Sequence, residues 1–195
     1  MGLYCNMGFM PTTTVTEQYL YTQLSKQHNL TISSNTSNCA LKNTSQYDLQ
    51  QKVQSESSLW MMVIKVVDLV IGSFVTTLLG PYSDTNGRKL ILFIPIVGAI
   101  LKSGVSILVA ALKAPFQWLI IGSILEGISG GMVLLLTAAV SYIVDVASDR
   151  RRTMFLFLVD LVFGLCSFVA NVAFGYFIKL VGYTICFVLL FAIYT

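Results

Sequence analysis

Five charged residues stand inside otherwise apolar runs: Lys65, Asp68, Lys102, Glu126 and Asp160. A charge surrounded by hydrocarbon is expensive unless it is paired or wetted, so each marks a place where a proton or an ion could be handled. At about 1.5 Å rise per residue, Asp160 lies about 10 Å beyond Thr153, and Glu126 about 15 Å beyond Phe116. Carboxyl groups at that depth can take a proton from one face of a membrane and give it to the other, so Asp160 and Glu126 are the proton-coupling candidates. Lys65 and Asp68 share a helical face at a spacing of three, which suits an internal ion pair. Lys102 either reaches toward the interface or pairs with an acid.

Other chemistries have little to work with. The one histidine, His28, sits in a polar stretch. The four cysteines, Cys5, Cys39, Cys166 and Cys186, lack metal-ligand spacing, so neither a metal nor another cofactor is expected. There is no H-E-x-x-H and no G-x-S-x-G, and the expectation is a protein that is not an enzyme. A net charge of +3, with no polybasic tract, argues against a nucleic-acid partner.

The elements that must hold these charges are membrane helices. Of 195 residues, 55% are hydrophobic and 11% charged, with a mean hydropathy of +0.77; a soluble domain carries about 25% charged residues. Apolar runs at residues 59–79, 90–112, 116–144 and 154–178 each approach or exceed the roughly 20 residues a span requires. Residues 1–21 and 183–195 read as incomplete first and last helices, and the expected fold is an all-α membrane protein. In the fourth run, Gly127 and Gly131 have the G-x-x-x-G spacing of close helix packing, and Asn171 in the fifth suits an interhelical hydrogen bond.

Residues 22–58 form the one long polar loop, with N-x-S/T acceptor sites at Asn29, Asn35 and Asn43 beside Cys39. The clustering places this loop on the luminal or extracellular side as a glycosylated segment. Five basic residues, Arg88, Lys89, Arg150, Arg151 and Arg152, fall in the loops 80–89 and 145–153, on the opposite side. By the positive-inside rule those loops are cytosolic. The two signals agree on one topology of six helices, with the amino terminus in the cytosol.

The 80–89 loop reads Gly80-Pro-Tyr-Ser-Asp84-Thr-Asn-Gly87-Arg88-Lys89. Its glycines allow a tight turn, Asp84 stands where a helix begins, and Arg88 can grip a carboxylate with two prongs. The segment resembles the G-x-x-x-D-x-x-G-R-K/R signature between helices 2 and 3 of the major facilitator superfamily. With Gln18-Tyr19-Leu20-Tyr21, with Tyr142-Ile-Val-Asp145 leading to Asp149-Arg150-Arg151-Arg152, and with Asp160, the chain is similar to solute carrier family 46, the proton-coupled folate transporter family. The likeness covers the amino-terminal six-helix half of a twelve-helix fold.

That resemblance implies a gating group of Gly80, Asp84, Gly87, Arg88, Lys89 and Asp145, in which Arg88 pairs with Asp145 and the partner of Asp84 belongs to the other half. It implies proton coupling at Asp160, whereas Glu126 matches no family position, and a disulfide from Cys39 to a cysteine outside this chain. The function implied is proton-coupled secondary active transport by alternating access. Its solute would be an organic anion of folate, cyclic dinucleotide or muropeptide type, in the plasma or lysosomal membrane. The partners would be that solute, protons, lipid and the missing carboxy-terminal half. The alternative is a truncated, non-transporting membrane protein that associates with a full-length carrier.

Overall fold

A computed structural model of the protein describes the backbone of residues 2–28, 45–86, 88–148 and 151–194, all of the regular structure being helical. The α-helices are α1 (Gly2–Gln27), α2 (Ser45–Asn86), α3 (Arg88–Leu112), α4 (Leu119–Ile128), α5 (Gly131–Val146), α6 (Arg152–Val181) and α7 (Tyr183–Tyr194). A 3-10 turn at Phe116–Trp118 leads into α4. Four stretches are long and apolar enough to cross a membrane, within Tyr47–Pro81, Phe93–Leu112, Phe116–Val146 and Arg152–Val181.

Two boundaries differ from the expectation. The first helix runs to Gln27 and the second starts at Ser45, so helix occupies both ends of the segment expected to be loop. Both extensions are rich in Gln and Ser, with Lys26, Lys52 and Glu56 among them, residues that carry no apolar signal but mostly tolerate helix well. Tertiary contacts fix them: Leu24, Ser25, Val53 and Ser57 are buried, and His28 meets Glu56 at 3.0 Å. At 26 residues α1 is about 39 Å long, and its helix continues past the expected end at Tyr21 into the polar stretch.

The fourth span is not one helix either. It breaks into α4 and α5 at Gly130, which has φ +83°, and Gly131, which has φ +50°. Within hydrocarbon such a break must satisfy its own polar groups. Ser129 N–H donates to Glu126 O at 3.1 Å, Gly130 N–H to Gly127 O at 2.8 Å, and Leu134 N–H to Gly130 O at 3.0 Å. The Ser129 hydroxyl adds a bond to Glu126 O at 2.6 Å.

Around the break, neighbouring helices come very close. A Cβ on Gly127 would lie 2.9 Å from Ile71 Cβ, and one on Gly98 would collide with the Ser129 side chain. Gly130→Ala is therefore expected to lose at least about 1–2 kcal/mol from the left-handed backbone alone, and more because the added methyl would meet Leu134 Cβ at 2.5 Å. Gly164→Ala, with open space around it, should leave the thermal midpoint in detergent unchanged or higher. Equal midpoints for the two variants would contradict this account.

The core joins both ends of the chain. Val15, Tyr19 and Leu20 of α1 pack with Cys186, Phe187 and Leu190 of α7, closed by Val109 of α3 and Phe174 of α6. Thr14 donates to Asn171 Oδ1 at 2.6 Å, an interhelical bond of the kind expected of Asn171. By contrast α2 and α6 keep most of their apolar surface outward: only 11% and 6% of their span windows are buried. Those faces carry Leu69, Phe74, Phe157 and Phe168 as exposed side chains, suited to hydrocarbon or to further protein.

Candidate functional site

Four of the five intramembrane charges converge. Asp68 lies about 14 Å along the helix from Leu59 and about 16 Å from Leu79, and Lys102 about 18 Å from Leu90 and about 15 Å from Leu112, so both are mid-span. Glu126 stands one turn before the break and is 3% exposed. Its Oε2 forms an ion pair with Lys102 Nζ, whose side chain is 12% exposed. The stem of Lys102 packs along Gly122: a Cβ there would lie 3.4 Å from Lys102 Cγ.

Lys65 and Asp68 do not form the ion pair expected from their spacing. Lys65 Nζ donates to Thr13 Oγ1 of α1 at 2.8 Å, and the Asp68 carboxyl hydrogen-bonds toward that of Glu126. Each residue uses its reach on another helix, which holds α2 to α1 on one side and to α4 on the other. Lys65 feels Lys102, Glu126, Asp68 and, from α1, Glu17. Two ammonium and two carboxyl groups thus make a cluster with no net charge when all are ionised.

A cavity of about 280 Å³ opens beside this cluster. Met62, Lys65 and Asp68 of α2 form one wall, and Gly130 to Val133 at the start of α5 form the other. Asp68 also leans on the break, since its Oδ1 lies 3.1 Å from the point a Cβ of Gly131 would occupy. Thr13 could not have been singled out from sequence, because a threonine in a polar helix carries no signal of its own.

Asp160 stands apart from the cluster. It is exposed on the outer face of α6 and makes no hydrogen bond or ion pair among the described residues. The signature segment is helical: α2 runs on to Asn86 and α3 starts at Arg88, so Gly80 and Asp84 belong to α2 and Arg88 and Lys89 to α3. Gly87 lies outside the described residues, as do the side chains of Asp84, Arg88 and Lys89, and a Cβ on Gly80 would meet nothing within 4 Å. Asp145 occupies the last turn of α5, where Arg152 reaches back to Val144 O at 3.1 Å. Asn29, Asn35, Cys39 and Asn43 lie outside the described residues. No group of three or more potential metal ligands occurs among the described residues.

An all-helical chain with these spans and a charged mid-span cluster has the form of a membrane carrier. Residues 13–194 match the family described as sugar (and other) transporter, in the major facilitator superfamily. The chain belongs to that family. Relatives of this superfamily chain are members of solute carrier family 46, as the signature segment led one to expect. It is 30% identical over 174 residues to the lysosomal proton-coupled steroid conjugate and bile acid symporter of Bos taurus, covering 87% of this chain and 38% of the relative. It is 30% identical over 165 residues to the proton-coupled folate transporter of Bos taurus, covering 85% and 36%. For the human lysosomal symporter the identity is 29% over 174 residues, covering 87% and 38%. This superfamily chain therefore spans less than two fifths of the length of the curated relatives it matches. It is a membrane protein of a transporter family.

Proposed function

We propose that this chain works in proton-coupled transport of an organic solute by alternating access, as the amino-terminal half of the carrier. The observation that carries the reading is the mid-span cluster of Lys65, Asp68, Lys102 and Glu126, in a chain whose relatives are named as proton-coupled carriers. Charges are kept at such depth for a function that outweighs their desolvation. The solute classes that suit the reading are folate-like compounds, cyclic dinucleotides, muropeptides and related anions. The membrane is the plasma membrane or the lysosomal membrane. Asp160 and Glu126 serve as proton carriers, the first at an exposed face and the second in the buried cluster.

The test is uptake of labelled folate and of a steroid sulfate into cells expressing the protein at the surface, at acidic and at neutral external pH. Acid-stimulated uptake of either solute supports the reading. Correct surface delivery with uptake equal to that of control cells for both solutes would sink it, and would favour a non-transporting protein that binds another carrier.

Gating in this reading falls to Arg88 and Asp145, which close one of the alternating states, with Asp84 docking against the other half. Arg88→Ala and Asp145→Ala should then slow uptake to a similar degree, and the double variant should be no worse than either. Additive losses in the same uptake assay would show that the two residues act separately. In the polar segment after α1, replacing Asn29, Asn35 and Asn43 together by Gln should remove the glycosidase-sensitive mass difference on a gel.

A further inference from the structure

We infer that the cleft between the end of α1, the polar start of α2 and the link from α3 to α4 is a binding site for a phosphate group, with the headgroup of an anionic phospholipid as the ligand its position favours. The site lies away from the mid-span cluster and goes beyond the transport reading.

The cleft has a volume of about 600 Å³ and is walled by three separate stretches of chain. The last turns of α1 bring Lys26 and Gln27, α2 brings Glu56 and Trp60 one turn apart, and the link brings Lys113 to Gln117. The ammonium groups of Lys26 and Lys113 have no ion pair or hydrogen bond among the described residues, and the side-chain amides of Gln27 and Gln117 have no partner there either. Glu56 is the one acid on the wall, and its carboxylate is engaged by His28 Nε2 at 3.0 Å. The wall therefore carries one net positive charge and donors from two elements. Such a set suits an anion that offers several oxygens, and lysine binds phosphate as a point charge.

The height of the cleft in the bundle points to the source of that phosphate. Lys113 is the first residue past the apolar span Phe93–Leu112, and Phe116 is the first of the span Phe116–Val146. Trp60 stands second in the apolar run 59–79. The cleft thus sits where hydrocarbon gives way to headgroups, the level at which tryptophan rings and lysine ammonium groups are favoured. Trp60 and Phe116 meet edge to face with centroids 5.1 Å apart, which gives the cleft an apolar side next to its cations. The turn that places Lys113 is closed by Ala114 N–H donating to Val109 O at 3.1 Å. A basic pocket between membrane helices holds an anionic headgroup by this combination. Phosphatidylcholine carries its own cation and gains less from the two lysines.

Trp60 can report occupancy, because the chain has two tryptophans and Trp118→Phe leaves it alone. The Trp118→Phe chain is reconstituted in phosphatidylcholine vesicles holding a rising fraction of phosphatidylglycerol with brominated acyl chains, which quench tryptophan on contact; brominated phosphatidylcholine is the reference. Phosphatidylglycerol should quench at lower fractions than the reference. Lys26→Met and Lys113→Met should each reduce that preference about fivefold, the effect of one cation near a membrane surface, whereas the double Lys26→Arg, Lys113→Arg variant should keep it. Glu56→Gln should raise it by a similar factor, since the opposing charge is gone. Lys179→Met, which removes a lysine outside the cleft, should leave it unchanged. Glycerol phosphate added in water distinguishes the two sources: quenching that it leaves intact assigns the site to the lipid, and quenching that it reverses assigns the same site to a soluble phosphate. Equal quenching by the two brominated lipids would overturn the inference. So would a preference that survives in the double Lys26→Met, Lys113→Met variant, or one that Lys179→Met lowers as much as they do.

Discussion

Lys102→Met should destabilise the chain by about 3–5 kcal/mol, the cost of leaving one member of a buried ion pair alone. Methionine keeps the length of the lysine stem, so its packing at Gly122 survives and only the ammonium group is lost. What remains is Glu126, 4% exposed at its side chain, beside a second acid, Asp68. The double variant Lys102→Met with Glu126→Gln should recover most of the loss, since replacing both partners removes the uncompensated charge. Cys186 offers the readout: it is fully buried among α1, α3 and α7 and reacts with a maleimide only after unfolding. Labelling against temperature, with the other three cysteines changed to Ser, gives each midpoint. A Lys102→Met midpoint within error of the parent, or a double variant worse than either single one, would show that the pair is not what holds α3 to α4.

How much of this was legible beforehand differs between helices. α3 and α6 are readable nearly to their ends, because an apolar run holding a single charge, Lys102 or Asp160, is flanked by Arg88 and Lys89 in one case and by Arg152 and Gly182 in the other. Hydrophobicity is a local signal there, and the bilayer makes it decisive. The polar beginnings of α2 were illegible by the same logic: Ser45 to Ser58 are helical because Val53 and Ser57 find partners, which no window of composition contains. The break in the fourth span was half legible. Ser129-Gly130-Gly131 is a run that can turn, yet the G-x-x-x-G spacing points to packing alone, and Gly127 does pack against Ile71.

The site divides in a similar way. That Lys65, Asp68, Lys102 and Glu126 matter was readable from cost alone, since charge within an apolar run needs compensation. Their partners were not readable, because pairing depends on how each helix is rotated about its axis. Spacing offered Lys65 to Asp68; rotation sent Lys65 to Thr13 and Asp68 to Glu126 instead. A pair of residues within one helix is a local fact, whereas a pair across helices is a product of the whole packing. The gating group shows the opposite limit: Arg88 and Asp145 come from resemblance to a signature.

Asp160→Asn is expected to abolish acid-stimulated uptake while leaving the thermal midpoint unchanged. The two halves of that expectation follow from one observation. Asp160 is exposed on α6 between exposed apolar neighbours such as Phe157 and Leu161, and nothing among the described residues pairs with it. A carboxylate facing plain hydrocarbon would be costly, so that face must meet water or other protein in the working carrier. A residue without contacts in its own bundle contributes little to the stability of that bundle, and the amide is nearly the same size as the acid. The proton is what the exchange removes, and with it the dependence on pH. Glu126→Gln differs in kind: it leaves Lys102 unpaired and should lower midpoint and uptake together. Measuring both variants for midpoint and for uptake at acidic and neutral pH separates a carrier of protons from a prop of the fold. A drop in midpoint for Asp160→Asn that matches its loss of uptake would place Asp160 among the structural charges, and proton coupling would then rest on the buried cluster alone.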